Sequence, residues 1–395
     1  MNTNFNLLDK MLQQIENPTL QNLILNGIPQ SGKFNIDKEN GEKWIVAQKE
    51  MTYTDCKIDH KKTAKFFLDT SKYIPHSELI EALKKCISTF LLDLKGNKYI
   101  ILTENENKSG YFFTMIFLLL IKDIAIGGYN PVGIFIQQKN IDNISKFINQ
   151  TPDDKIDILQ VNDADYSGTQ SLSNIFPIYN KIIDSCPKSE AYIIRPFTNS
   201  LAINNFNNFI QKSEKNDKIK YIYDVEIPLW REQLKNYSEL TEDDKTQILS
   251  CFSETGPVNI YFDHKVATSY STLAHFYLDN KLLDTWEESG ETTNIPLIKI
   301  CDEKIVNRED YDSQDSGSEI YRCPVAWYKY LNYDDGTVDF TKIPRVKSIT
   351  EGGRKNKKSR KNKKSRKNKK SRKNKNKSRK NKNKSRKNKN RKFYI

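Results

Sequence analysis

The sequence predicts an α/β fold: a doubly wound, mostly parallel sheet with an irregular cap and a disordered basic C-terminal tail. Three observations carry this. Short apolar runs alternate with helix-like segments from Tyr99 to about Gln211, the pattern of strand–helix–strand crossovers with their right-handed connections. Two of those runs lead straight into polar, small-residue loops, and ligands of open α/β sheets sit at the carboxyl ends of strands. The composition also breaks sharply near Glu351, beyond which no core-forming pattern remains.

Charge separates the two parts of the chain. Its 395 residues include 64 Lys or Arg and 50 Asp or Glu, a formal charge of +14. From Arg354 to Lys392 there are 25 Lys or Arg and no acid. Without those 25, 39 basic residues face 50 acidic ones, so the remainder carries −11. The folded part is therefore acidic and does not read as a basic nucleic-acid-binding domain. The tail repeats Ser-Arg-Lys-Asn-Lys, with serines at 359, 365, 371, 378 and 385. It cannot bury a core and is expected to be disordered. Its charge density suits salt-sensitive attraction to nucleic acid or another polyanion through residues 354–392. A solubilising or targeting appendage is the plainer alternative.

Six scattered cysteines form no C-x-x-C pair, and His60, His76, His264 and His275 lack zinc-finger spacing. Reduced thiols in an intracellular protein, cytoplasmic or nuclear, are the expectation. The N-terminus does not read as a secretory signal. The most apolar run, Tyr111 to Ile121, stops at Lys122-Asp123 and is too short to span a bilayer, so no membrane partner is expected.

In chain order, residues 1–20 read as a short helix with Leu7, Leu8, Met11, Leu12 and Ile15 on one face. Gly27-Ile-Pro-Gln-Ser-Gly32-Lys33-Phe34 satisfies the start of a P-loop, but Phe34 stands where a metal-binding hydroxyl is needed, so a Gly/Pro turn is the better reading. Residues 43–73 read as short strands or an irregular cap. Pro75-His76-Ser77 opens an amphipathic helix with Leu79, Ile80, Leu83, Cys86, Ile87, Phe90 and Leu91 at helical spacing, ended by Gly96-Asn97.

Tyr99–Leu102 is the first core strand, followed by Thr103–Gly110 and an apolar helix. Val132–Ile136 is the next strand, with a helix-compatible stretch over 140–149. Ile156–Val161 and a helix over 171–184 follow, then strand Ala191–Ile194 and a helix capped by Thr198-Asn-Ser200. Lys220–Tyr223 is a further strand candidate and 228–251 looks helical. Val258–Phe262 reads as a strand ending in Asp263-His264-Lys265, with a helix over 266–279. Residues 302–319 form an acidic loop, and Cys323–Tyr328 is placed to pack back as a cap. The expected organisation is an N-terminal helix and cap segment (1–75), an α/β core (76–280), a C-terminal cap segment (281–345) and the tail (346–395).

The central stretch is Ile156-Asp-Ile-Leu-Gln-Val161-Asn162-Asp163-Ala164-Asp165-Tyr166-Ser167-Gly168-Thr169. A β-branched strand runs into oxygen ligands, then into hydroxyls and free amides at a helix start. Carboxylates followed at once by a phosphate cradle suit a sugar phosphate. The same residues also suit an ordinary strand–loop–helix junction with a polar cap.

This stretch resembles the motif of type I phosphoribosyltransferases that binds phosphoribosyl pyrophosphate (PRPP). There, two adjacent acids, three variable residues, Ser or Thr, and Gly follow an apolar strand. Asp163 takes the second acidic position, Asn162 replaces the first acid, and Ser167-Gly168-Thr169 takes the phosphate turn. Lys108-Ser109-Gly110 is similar to the family's pyrophosphate loop, and Asp263-His264-Lys265 stands where a strand end faces the acceptor. The resemblance spans roughly residues 76–270. It implies displacement of pyrophosphate from PRPP by a nitrogen of a nucleobase-like acceptor, with Mg²⁺ as cofactor.

On that resemblance, Asp163 and Asp165 hold ribose or metal, and Lys108 offsets the leaving-group charge. Asn162, Tyr166, Ser167, Gly168, Thr169, Ser109 and Gly110 line the substrate, and Asp263, His264 and Lys265 meet the acceptor. Bland alternatives stand beside two of these, Lys108 as a solvated loop lysine and His264 as a structural histidine, while Lys265 at a strand end suits a base carbonyl or phosphate. Loss of the first acid also leaves a non-catalytic PRPP- or nucleotide-binding member of the fold as a second expectation.

Overall fold

The computed structural model describes residues 6–28, 58–94, 98–106, 108–124, 131–136, 144, 146–147, 155–168, 172, 175–180, 187–212, 217–252, 258–262, 265–266 and 327–339. The basic segment separates as its own unit, Lys347–Ile395, and lies outside the described residues.

The chain begins with α1 (Leu8–Gln14) and α2 (Pro18–Asn26). One helix was expected here. Asn17 splits it by accepting from the amides of Thr19 and Leu20, with Pro18 at the first helical position. A third helix, α3 (His60–Thr70), occupies a stretch expected to be strands or irregular cap. Asp59 caps it through the Lys61 and Lys62 amides. The run Phe66-Phe67-Leu68 fits either period, and the cap decides in favour of the helix.

β1 (Lys72–Ile74) leads into α4 (His76–Leu94), whose buried Leu79, Leu83, Ile87, Phe90 and Leu94 follow helical spacing. Then come β2 (Lys98–Thr103), α5 (Ser109–Ile124), β3 (Gly133–Ile136), β4 (Ile156–Val161) and β5 (Ala191–Ile194). The short β6 (Phe197–Thr198) and α6 (Ser200–Ile210) precede β7 (Ile219–Ile222) and β8 (Val225–Glu226). Helices α7 (Trp230–Asn236) and α8 (Glu242–Cys251) divide the expected helical stretch 228–251. They are followed by β9 (Ile260–Phe262), β10 (Lys265–Val266), a 3₁₀ turn Trp327–Tyr330, β11 (Leu331–Asn332) and β12 (Thr337–Val338).

Five strands form one parallel sheet in the order β3-β2-β4-β5-β7. Its strands are buried on both faces, as all-parallel sheets require. Tyr99, Ile101, Leu159, Val161, Tyr192 and Ile194 face a core shared with α4 and α5. Ile100, Leu102, Ile156, Ile158, Ala191 and Ile193 face the opposite core, with Ile175, Tyr179 and Phe206 of α6. Phe90 pins α4 to the first layer, with ring centroids 5.2 Å from Tyr99 and 5.0 Å from Tyr192. Counted along the chain, the strand order is second, first, third, fourth, fifth. It therefore reverses between β2 and β4, the place where such sheets open a crevice at their carboxyl ends.

Three smaller sheets accompany it among the described residues: β1-β9-β10, β6-β8 and β11-β12. β9 pairs in parallel with β1 and antiparallel with β10, so the strand after Val258 stands outside the main sheet. Its Tyr261 shares a third core with Phe66, Phe67, Trp230, Leu234, Ile248 and Phe252. Val266 lies in β10 rather than in the expected helix 266–279, the rest of which is outside the described residues. The segment 327–339 does pack back on the core. Trp327 lies 5.1 Å from the Phe112 ring, Tyr328 stacks on Phe112 at 5.3 Å and 12°, and Tyr333 meets Tyr111 at 4.9 Å.

Cys86 is a buried free thiol, pushed up to about 12 by burial, and so inert. Cys251 is disulfide-bonded, which departs from the expectation of reduced thiols throughout. Among the described residues no helix is long and apolar enough to cross a membrane.

Candidate functional site

Two loops leave neighbouring strands at the reversal point. Leu102 lies beside Gln160 in the β2–β4 ladder, so the chain leaves Thr103 and Val161 side by side. Adjacent strands stand about 4.8 Å apart, which brings the loops within reach of one small ligand.

The β4 loop is held from within and from below. Asn162 donates its backbone N–H to Ile194 O at 3.1 Å, and its side-chain oxygen accepts from the Asp163 N–H at 3.0 Å. The Asp165 amide donates to Phe197 O at 3.0 Å, and Asp163 O accepts from the Phe197 amide at 3.3 Å. Asp163 is 1% and Asp165 4% exposed. Asp165 Oδ1 accepts from the Gly168 N–H at 2.8 Å. Its other oxygen is buried too, and the Tyr221 hydroxyl is close enough to hydrogen-bond the carboxylate. Gly168 sits at φ +73°, and a Cβ there would lie 2.6 Å from Ala202 O.

Asn199 fastens this loop to α6. Its amide donates to Tyr166 O at 2.9 Å and Asp165 O at 3.3 Å, while its oxygen caps α6 by accepting from the Ala202 N–H at 3.0 Å. Asn205 adds a bond to Ser167 O at 2.8 Å. Asn199→Ala removes all three Asn199 contacts and leaves buried carbonyls without that donor. It is expected to destabilise the fold by about 2–3 kcal/mol, read as a lower urea midpoint.

The β2 loop is built differently. Lys108 is exposed and makes no ion pair with a described residue; its backbone N–H donates to Asn105 O at 2.9 Å. Ser109 opens α5, and the Gly110 N–H donates to Glu104 Oε2 at 2.9 Å. Thr103 and Thr114 hydroxyls both reach Gly110 O, at 3.2 and 2.7 Å, and fix the first turn of α5 to β2.

A buried cation lies at the end of β5. Arg195 follows β5 directly, is 3% exposed, and donates to Ile194 O at 2.7 Å and to Gln160 Oε1 at 2.8 Å. Burial first, then the Asp163 and Asp165 charges, hold the Tyr166 phenol well above its ordinary pKa. Burial and Asp165 raise Tyr221 likewise, with Arg195 opposing, and its hydroxyl stays 2.8 Å from Thr198 Oγ1. Both phenols therefore remain neutral. Sequence reasoning missed Arg195. The available signal was a charged residue placed directly after four apolar ones.

Asn162, Asp163, Asp165, Tyr166, Ser167 and Gly168 thus follow β4, while Lys108, Ser109 and Gly110 lie at the start of the helix after the adjacent β2. Thr169, Asp263 and His264 lie outside the described residues. Lys265 has its backbone in β10, opposite Phe262. That strand still reaches the loop indirectly: the Phe262 ring meets Phe197 edge-on at 5.4 Å, and Phe197 bonds to Asp163 and Asp165.

The fold defines a mixed α/β protein of Rossmann-like type, with a five-strand parallel sheet. No protein-family model matches the chain, and no curated protein matches it.

Proposed function

We propose that the crevice between the β2 and β4 loops binds PRPP with Mg²⁺, and that the chain transfers the phosphoribosyl group to a nucleobase-like acceptor. One observation carries this reading: an acid-and-hydroxyl loop and a lysine-bearing helix start leave adjacent parallel strands where the sheet order reverses. In the reaction an acceptor nitrogen bonds to the anomeric carbon, the bond from that carbon to pyrophosphate breaks, and the nitrogen's proton passes to solvent. Pyrophosphate leaves with the electron pair.

The demands on the chain are few: hold the ribose, offset the leaving charge and position the acceptor. Asp163 and Asp165 hold ribose hydroxyls or the metal. Mg²⁺ is bound by one or two carboxylates plus water and phosphate oxygens, and the neighbouring buried carboxylates of Asp163 and Asp165 are the ones that would hold it. When bound, the metal neutralises pyrophosphate charge. Ser167, Gly168 and Thr169 cradle the 5′-phosphate with Tyr166 beneath them. Ser109 and Gly110 meet the pyrophosphate, and Lys108 supplies its countercharge. By the family resemblance, Asp263, His264 and Lys265 are the residues that would meet the acceptor.

A second reading, binding without turnover, is favoured by Asn162. It replaces an acid, and its oxygen is turned onto the loop's own Asp163 amide. Calorimetry of the full chain with PRPP and Mg²⁺ tests the common ground: micromolar binding is expected, and no heat rejects both readings. Pyrophosphate release across a panel of bases then separates turnover from silent binding.

The tail adds a separate proposal. Its 25 positive charges tether the chain to nucleic acid or another polyanion. Deleting residues 354–395 is expected to abolish salt-dependent retention on heparin, and unchanged retention removes the proposal.

A further inference from the structure

Three consecutive residues hold Asp165 by both its backbone and its side chain. Phe197 O accepts from the Asp165 amide at 3.0 Å, and the Asn199 side chain donates to Asp165 O at 3.3 Å. Thr198, between them, is fully buried, and its hydroxyl lies 2.8 Å from the Tyr221 hydroxyl. Tyr221 in turn hydrogen-bonds the Asp165 carboxylate, reaching it from β7, two strands from β4 in the sheet. An ionised carboxylate only accepts, so the order of protons along this chain is set: Tyr221 donates to Asp165, and Thr198 donates to Tyr221. The ring that carries the phenol is fixed from the side, with its centroid 5.0 Å from that of Phe206 in α6.

The Gly168 amide holds the same carboxylate from within the loop, at 2.8 Å from Oδ1. A carboxylate offers about four lone-pair sites, and these two donors take two of them. The direction of the rest follows from where the donors stand. Carboxylates that bind metals are themselves hydrogen-bonded, and such outer partners orient the ligating oxygens. We infer that Tyr221 is a positioning residue of the crevice: it fixes the Asp165 carboxylate in the orientation that receives Mg²⁺ or the ribose hydroxyls, and Thr198 fixes Tyr221. The phenol itself touches no ligand. Without its hydroxyl the ring would keep its place beside Phe206, but one side of the Asp165 carboxylate would lose its donor and be free to turn.

The inference rests on the proposed reading of the crevice, and a double-mutant cycle separates the two. Calorimetry of PRPP with Mg²⁺ compares the full wild-type chain with Tyr221→Phe, Asp165→Asn and the double variant. Tyr221→Phe keeps the ring and removes the hydroxyl. It is expected to bind about tenfold more weakly, the scale for losing an outer partner of a metal ligand. In the Asp165→Asn background the same change should alter affinity less than about twofold, because the group it positions is gone. A hydroxyl that serves only the fold would cost the same in both backgrounds. That result overturns the positioning role, as does unchanged affinity in Tyr221→Phe, and both leave the crevice reading in place. No binding by wild type overturns the reading and the inference with it. A measurement without ligand checks the contact: the Gly168 amide proton resonance, which reports on the Asp165 carboxylate, should shift in Tyr221→Phe, and an unmoved resonance overturns the inference.

Discussion

Asp163→Ala is expected to weaken binding of PRPP with Mg²⁺ at least about a hundredfold, measured by calorimetry on the full chain. Two charge-assisted hydrogen bonds to ribose hydroxyls, or one metal bond, are lost, each worth about 1.5–3 kcal/mol. Asp163 is almost wholly buried, so truncation also loosens the loop beside Phe197. Asp163→Asn separates the effects. It preserves volume and hydrogen-bonding atoms, melts within a few degrees of wild type, and still loses most of the affinity because the charge is gone. Full affinity in Asp163→Asn would remove the carboxylate from the binding role.

Gly168→Ala is expected to be the most damaging single methyl in the loop. The left-handed backbone at φ +73° costs an L-residue about 1–2 kcal/mol. The added Cβ also meets a backbone carbonyl, Ala202 O, at 2.6 Å, and a carbonyl inside α6 cannot swing aside. Together these give a loss of about 3 kcal/mol or more, a fall in melting temperature of roughly 5–10 °C. The turn that would receive the 5′-phosphate is displaced as well, so ligand binding should fall with stability. A variant that melts like wild type would show that the loop relaxes without strain.

Much of the sheet was legible because parallel strands buried on both faces read as unbroken apolar runs. Tyr99–Leu102, Val132–Ile136 and Ala191–Ile194 announce themselves in this way. Asp157 is an instructive exception: a fully buried charge inside β4, held by the Glu190 amide at 2.8 Å and with Lys155 at 3.6 Å. Its polarity gave no hint of the ion pairing that permits it. The pairing of β9 with β1 was not legible, because the partners are far apart in sequence and nothing local selects one for the other. Asp163, Gly168 and Lys108 followed from residue type and spacing. Arg195 and Glu104 did not, since their roles depend on which backbone groups the fold places beside them.

The aromatic clasp of residues 327–339 bears on the order in which the molecule assembles. Trp327, Tyr328 and Tyr333 close over Tyr111 and Phe112, at the start of the helix that follows β2. Gln14, near the beginning of the chain, accepts from the Tyr111 hydroxyl at 2.9 Å and donates to Asp334 at 2.8 Å. The earliest and latest described segments therefore meet on the same helical turn. Contacts between segments so distant in sequence form late, because the loop they close is long. A nascent chain would expose Phe112 until residue 339 had been synthesised. Covering of Phe112 is thus tied to the end of synthesis of the folded part, and shorter products present an aromatic surface there.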